Sequence, residues 1–162
     1  MTDLALTLAQ TTLTGALALW MITAVLDNWR HPSLNESAMA TVVGLEAMRV
    51  EFPEEYALMK HRRIDNPRTI RALFFLLVAW ETLAALLLLA GTVLLVLTLC
   101  AVTDAQTARV VALLGTLAFT LTWAAFLAGG NYFCYWYCHF NALATHLLLA
   151  LWGTGVTILL LL

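Results

Sequence analysis

Charge is what this sequence has least of. Only 11% of its 162 residues are Asp, Glu, Lys or Arg, against about 25% in a soluble domain. Residues 110–162, fifty-three positions, contain none at all. With 62% hydrophobic residues, the chain reads as one integral membrane domain. A formal net charge of −2 leaves no basic surplus, so nucleic acid is not an expected partner. Cysteine is scarce as well. Cys100, Cys134 and Cys138 lie in apolar or aromatic surroundings and make no disulfide framework. No Lys or Arg precedes the apolar residues 4–26. That stretch therefore lacks the basic leader of a signal peptide and is expected to be a retained span. Also missing are a Ser-His-Asp set, a phosphate-cradling glycine loop and an acidic pair.

What is present is long apolar sequence. A run of roughly 20 apolar residues crosses a bilayer as a helix, and four such runs occur, at residues 4–26, 72–99, 110–129 and 141–162. Lipid offers no partner to backbone polar groups, so each run is expected to be a helix rather than an open strand. The Gly129-Gly130-Asn131 turn signal divides the charge-free tail into the last two spans. The expected fold is all-α: a four-helix transmembrane bundle with a short helical extramembrane segment between spans 1 and 2.

That segment, residues 27–71, holds fourteen of the eighteen charged residues, seven acidic and seven basic. Met39, Val42, Val43, Leu45, Met48 and Val50 form a loose apolar face at helical spacing, with Asn35 or Ser37 as the N-cap. Phe52-Pro53 ends that helix, and Pro53 opens another. Glu54 and Glu55 in its first turn and Lys60 to Arg63 in its last suit the helix dipole. Two short helices on the membrane surface, or over the end of the bundle, are expected. The positive-inside rule places this loop in the cytoplasm and both termini outside.

Several residues invite a chemical reading. Glu81 is the only charged residue deep inside a span, about 15 Å along the helix from Arg71. A carboxyl there implies a proton path or a pairing. The preferred reading is a hydrogen-bonded joint between helices, with Thr11, Thr12, Thr14, Thr120 or Thr122 as its partner. Ala84 and Ala85 favour close packing beside it. Cys134, Cys138 and His139 combine thiol and imidazole donors suited to copper or zinc, with Cys134 and Cys138 on one face if their segment is helical. His146 has Ala142 four residues before it, which leaves room for a tetrapyrrole over the imidazole. A packing histidine and two apolar thiols are the preferred readings. Tyr132, Phe133, Tyr135, Trp136 and Tyr137 are expected to anchor or dock the turn at the membrane interface. Ala124 with Ala128, and Ala125 with Gly129, have the spacing of tight helix contacts.

Some of these residues also form an ordered set of landmarks. They are Phe52-Pro53, Arg63-Ile64, Ala79-Trp80-Glu81, Trp123 with Phe126, Gly129-Gly130, Tyr132-Phe133 and Trp136. In this order the chain resembles the bacterial family of predicted small integral membrane proteins known as domain of unknown function 2165. The resemblance implies a four-span membrane fold and no catalytic residues. This chain departs from the family pattern in having Asn131 after the glycine pair and the segment Cys134-Tyr135-Trp136-Tyr137-Cys138 beyond it. The family tends to be basic between spans 2 and 3, which implies termini inside, whereas this chain has only Arg109 there.

The expected function is that of a non-catalytic accessory subunit of a larger complex in the bacterial inner (cytoplasmic) membrane. Respiratory or other energy-converting assemblies are hosts of this kind. Its expected partners are other integral membrane subunits and lipids, with no cofactor. The alternatives are a redox, pigment or metal protein using His146 or the Cys134/Cys138/His139 group, and a small transporter or proton-path protein using Glu81.

Overall fold

The computed structural model describes the backbone of residues 2–162 and the side chains of residues 4–162. Helices follow one another throughout, and no strand occurs among the described residues. Span helix α1 covers Thr2–Arg30, and α2 (Pro32–Val43), α3 (Glu46–Glu51) and α4 (Pro53–Met59) make up the extramembrane segment with a 3-10 turn at Lys60–Arg62. Then come α5 (Pro67–Leu99), α6 (Ala105–Tyr132), the single turn α7 (Tyr135–Cys138) and α8 (Phe140–Leu160). Helices α1, α5, α6 and α8 are the four long and apolar enough to cross a membrane. Helices α1, α5 and α6 extend beyond the expected spans, whereas α8 starts one residue before its expected span and ends two residues short of it.

Packing runs α1 on α5, α5 on α6, and α6 on α8. Helices α1 and α8 share a shorter seam, where Gln10 Nε2 donates to the Leu159 carbonyl at 2.8 Å. Burial of apolar area drives little association within lipid, so close backbone approach has to do more. The α5–α6 contact shows how. A Cβ on Gly91 would lie 2.5 Å from the Ala112 Cα, and one on Gly115 would lie 2.7 Å from the Leu88 amide nitrogen. Each helix therefore carries a glycine against the other's backbone. Ala84, Ala85 and Leu88 are buried on this side of α5, and Ala112, Thr116 and Phe119 on α6. Toward the cap end the packing becomes aromatic: Trp20 meets Trp123 edge-on at 5.0 Å, and Phe119 at 6.0 Å.

Ala124 with Ala128 and Ala125 with Gly129 make no tight contact to another described helix of this chain. All three alanines are exposed, and nothing lies within 4 Å of a Cβ on Gly129. The spacing is right for a helix contact, but Ala124 and Ala128 point outward, and Ala125 and Gly129 border a cavity.

The extramembrane segment lies over the end of the bundle. Its first helix begins earlier than expected, with Pro32 in the first turn and His31 at the N-cap, so neither Asn35 nor Ser37 caps it. The apolar face at residues 39–50 is split into two helices at Gly44 and Leu45. Leu45 adopts a left-handed backbone (φ 54°), a conformation few non-glycine residues take. Burial holds it there. Leu45 and Met48 pack with Cys134, Phe52, Tyr56 and Tyr137 in a second small core between cap and turn. Val50, assigned to the same face, is exposed instead. The Ile64 amide donates to the Val43 carbonyl at 2.9 Å, which closes the segment on itself before α5 begins.

Candidate functional site

A carboxyl inside a span needs donors, because lipid supplies none. Glu81 is buried on α5 facing α1. Its donor is Asn28 in the last turn of α1, whose Nδ2 reaches Glu81 Oε2 at 2.8 Å. The Asn28 Oδ1 in turn accepts from Asn35 Nδ2, on α2, at 2.6 Å. An amide has one donor end and one acceptor end. Placed between a carboxylate and a second amide donor, Asn28 is held in one orientation. The three side chains form a polar chain from the cap to the interior of the bundle.

None of the expected threonine partners takes this role. Thr11, Thr120 and Thr122 donate to carbonyls four residues back on their own helices, at 2.7, 2.8 and 2.9 Å. Thr12 is exposed, and Thr14 Oγ1 is buried with no hydrogen-bond partner. A helical threonine has that carbonyl within reach, and Thr11, Thr120 and Thr122 spend their hydroxyls there. Trp80 Nε1 donates to Thr122 Oγ1 at 3.1 Å. Adjacent residues Trp80 and Glu81 thus tie α5 to α6 and to α1, respectively.

Above Glu81 lies a cavity of about 520 Å³, enclosed by α2 and the cap-end turns of α1, α5, α6 and α8. Glu81, Asn28 and Asn35 line it, as do Trp123, Tyr135 and His146. The sequence gives Glu81 and His146 separate readings; the fold brings both to one space. Exposed Asp27, Asn35, Ala38 and Ala125 also line it and form its rim. The His146 ring stacks on Phe126 at 4.8 Å and 25°, and lies 5.5 Å from Trp123. His146 Nδ1 and Trp123 Nε1 are buried without a hydrogen-bond partner. Ala142 lines the cavity beside His146, so the gap at that position opens into this space.

The turn after α6 comes later than the glycines suggest. Helix α6 continues through Gly129, Gly130 and Asn131, and the chain reverses at Phe133 and Cys134. Gly130 serves packing instead: a Cβ there would lie 2.8 Å from the Tyr135 ring. Cys134 and Tyr135 are buried, Phe133 and Tyr137 are half-buried, and Tyr132 and Trp136 are exposed. Phe52 packs edge-on to Tyr137 at 5.1 Å. Arg62 Nη1 donates to the Tyr132 carbonyl at 3.0 Å, and its guanidinium lies over the Tyr132 ring. The aromatic segment is thus a joint between cap and bundle on one side, with Tyr132 and Trp136 facing outward on the other. Burial pushes the Tyr135 phenol up from its ordinary value.

Cys134, Cys138 and His139 are not assembled as the metal reading expects. Cys134 precedes α7 in a left-handed conformation (φ 58°), off the helical face that would align it with Cys138. Its Sγ lies 3.9 Å from Arg62 Nη1 and from the Tyr132 carbonyl. Burial, and then the Glu51 carboxylate, push the Cys138 thiol up, away from the thiolate a metal requires. His139 lies 5.5 Å from the Tyr135 ring, whose other neighbour is His146 at 6.0 Å. Among the described residues, no three His, Cys, Asp or Glu side chains are grouped to hold a metal ion. Asn28, Asn35 and Asp27 are the site residues that sequence reasoning misses. The available signal was polar residues on both sides of the Pro32 break.

Four apolar helices, capped at one end around a largely apolar cavity with a few polar groups, define an integral membrane protein. Within that class, the chain belongs to the family of predicted small integral membrane proteins (DUF2165), whose model matches residues 6–162. Comparison with curated proteins and with solved structures gave no match. The family landmarks cluster at the cap end: Phe52 and Arg63 brace the cap, Trp80 and Glu81 tie the spans, and Trp123, Phe126 and Gly130 wall the cavity.

Proposed function

We propose that this protein is a non-catalytic accessory subunit of a larger complex in the bacterial cytoplasmic membrane, docked through the outer face of α6. The observation that carries this reading is a change of residue size along one stripe. Val110, Leu114, Leu117 and Leu121 are exposed at spacings of three and four residues, as a lipid-facing row should be. The row continues through Ala124 and Ala128, also exposed, and ends at Asn131. Small residues let another helix approach closely, and a polar residue at the end of the row can hydrogen-bond to it. The partner is therefore a transmembrane helix of another subunit. Exposed Tyr132 and Trp136 lie just beyond, at the level where interfacial aromatics contact neighbours.

Gentle extraction from native membranes followed by native separation tests the reading. The chain should migrate in a species well above its own 17.9 kDa, together with other integral membrane proteins. Migration as a lone chain plus detergent would contradict it.

A further inference from the structure

We propose that the cavity beneath α2 is a binding site for a small organic cation carrying an ammonium group. This goes beyond the docking role and does not depend on it. At about 520 Å³ the cavity falls within the range of small-molecule sites, roughly 300–1,000 Å³. Its lining is mostly apolar and aromatic, with few polar groups, as such sites are. What selects the ligand is charge. Glu81 and Asp27 both line the cavity, and no Lys or Arg does; His146 is the one basic side chain there.

Glu81 is the anchor. It is buried with one neutral donor, Asn28, and no cation among the described residues pairs with it. A buried carboxylate without a counter-charge is costly, and a ligand ammonium would relieve that cost. The Asn35–Asn28 chain holds the carboxylate in place before the ligand arrives. Aromatic faces complete the recognition. Phe74, Trp123, Phe126, Phe133 and Tyr135 all line the same space, and an ammonium or quaternary ammonium is attracted to such faces within about 6 Å. Asp27, exposed at the rim, draws cations toward the opening. The ammonium has two sources, a free amine or the headgroup of an amino-lipid.

The test is calorimetric titration of the full chain in uncharged maltoside micelles. The probe is benzyltrimethylammonium, and its uncharged carbon isostere neopentylbenzene is the control. Saturable binding of the cation is expected, with the isostere weaker by roughly tenfold or more. Glu81→Gln should weaken the cation by a similar factor in protein whose circular dichroism is unchanged. Ala125→Leu, which narrows the cavity at its rim and keeps the carboxylate, should also weaken binding. This second variant decides the matter if Glu81→Gln does not fold. Competition by dihexanoyl phosphatidylethanolamine but not dihexanoyl phosphatidylglycerol would assign the site to a lipid amine, and no competition by either would assign it to a free amine. Absence of saturable binding, equal affinity for the isostere, or full binding by a folded Glu81→Gln or Ala125→Leu protein would overturn the proposal.

Discussion

Asn28 joins the extramembrane segment to the interior of the bundle. It is the one hydrogen-bond donor to Glu81 among the described residues, and it links that carboxyl to Asn35 on the cap. Asn28→Leu would leave a buried acceptor unsatisfied, which costs about 1–3 kcal/mol. The expected outcome is a lower unfolding temperature in detergent, with Glu81→Gln in the same background restoring part of the loss. An unchanged unfolding temperature for Asn28→Leu would contradict the pairing. Glu81 itself was legible in the sequence, since a lone intramembrane charge stands out against apolar neighbours. Its partner was not. Threonines look available in a list of residues, but the helix offers each one a carbonyl a turn away, and Asn28 lies fifty-three positions from Glu81.

Helices in this protein are set by their ends and by their glycines. Helix α6 starts at Asp104, which accepts from the Thr107 amide at 2.9 Å. That backbone hydrogen bond, and then the Thr107 hydroxyl, hold the Asp104 carboxyl below its ordinary value. A depressed folded-state value means that the capping contribution is present above the unfolded value and is lost as pH falls through the folded one. Amide protection in the first turn of α6, measured relative to the intrinsic exchange rate at each pH, should therefore fall under acid. Asp104→Asn should keep the cap and remove that pH dependence; a persistent dependence in the variant would place its origin elsewhere. At the α5–α6 contact, Gly91→Leu would drive a side chain into the Ala112 backbone. Overpacking of this kind costs about 1–3 kcal/mol, read as a fall in thermal stability, whereas Gly155→Leu, with open space around it, should be tolerated. The four span helices were legible because length and apolarity suffice to specify them. The break at Gly44–Leu45 was not. It depends on Leu45 being buried against Cys134, in a part of the chain remote from it, and local sequence carries no trace of that contact. Gly129 and Gly130 misled for a related reason. They look like a turn, yet α6 runs through them because Gly130 is needed against Tyr135.

At the scale of the whole molecule, the two long-range features are the cap and the bare face of α6. Both connections at this end, residues 31–66 and the aromatic turn, meet in one small core, so the cap is fastened to the bundle through Tyr137, Phe52 and Arg62. The cap encloses the cavity that unites Glu81 with His146. That union could not be read from the sequence, because it arises only when α5 and α8 are brought to one space under α2. The outer stripe of α6 was half legible: the alanine spacing marks a contact face, and nothing among the described residues covers it. The proposed role requires that uncovered face to meet another subunit. Photo-crosslinking in intact membranes tests it most directly, with a photoreactive residue at Ala128 and a control at Leu86, exposed on α5. The expected result is a protein adduct to another integral membrane chain from position 128 and none from position 86. Lipid adducts alone from both positions would contradict it.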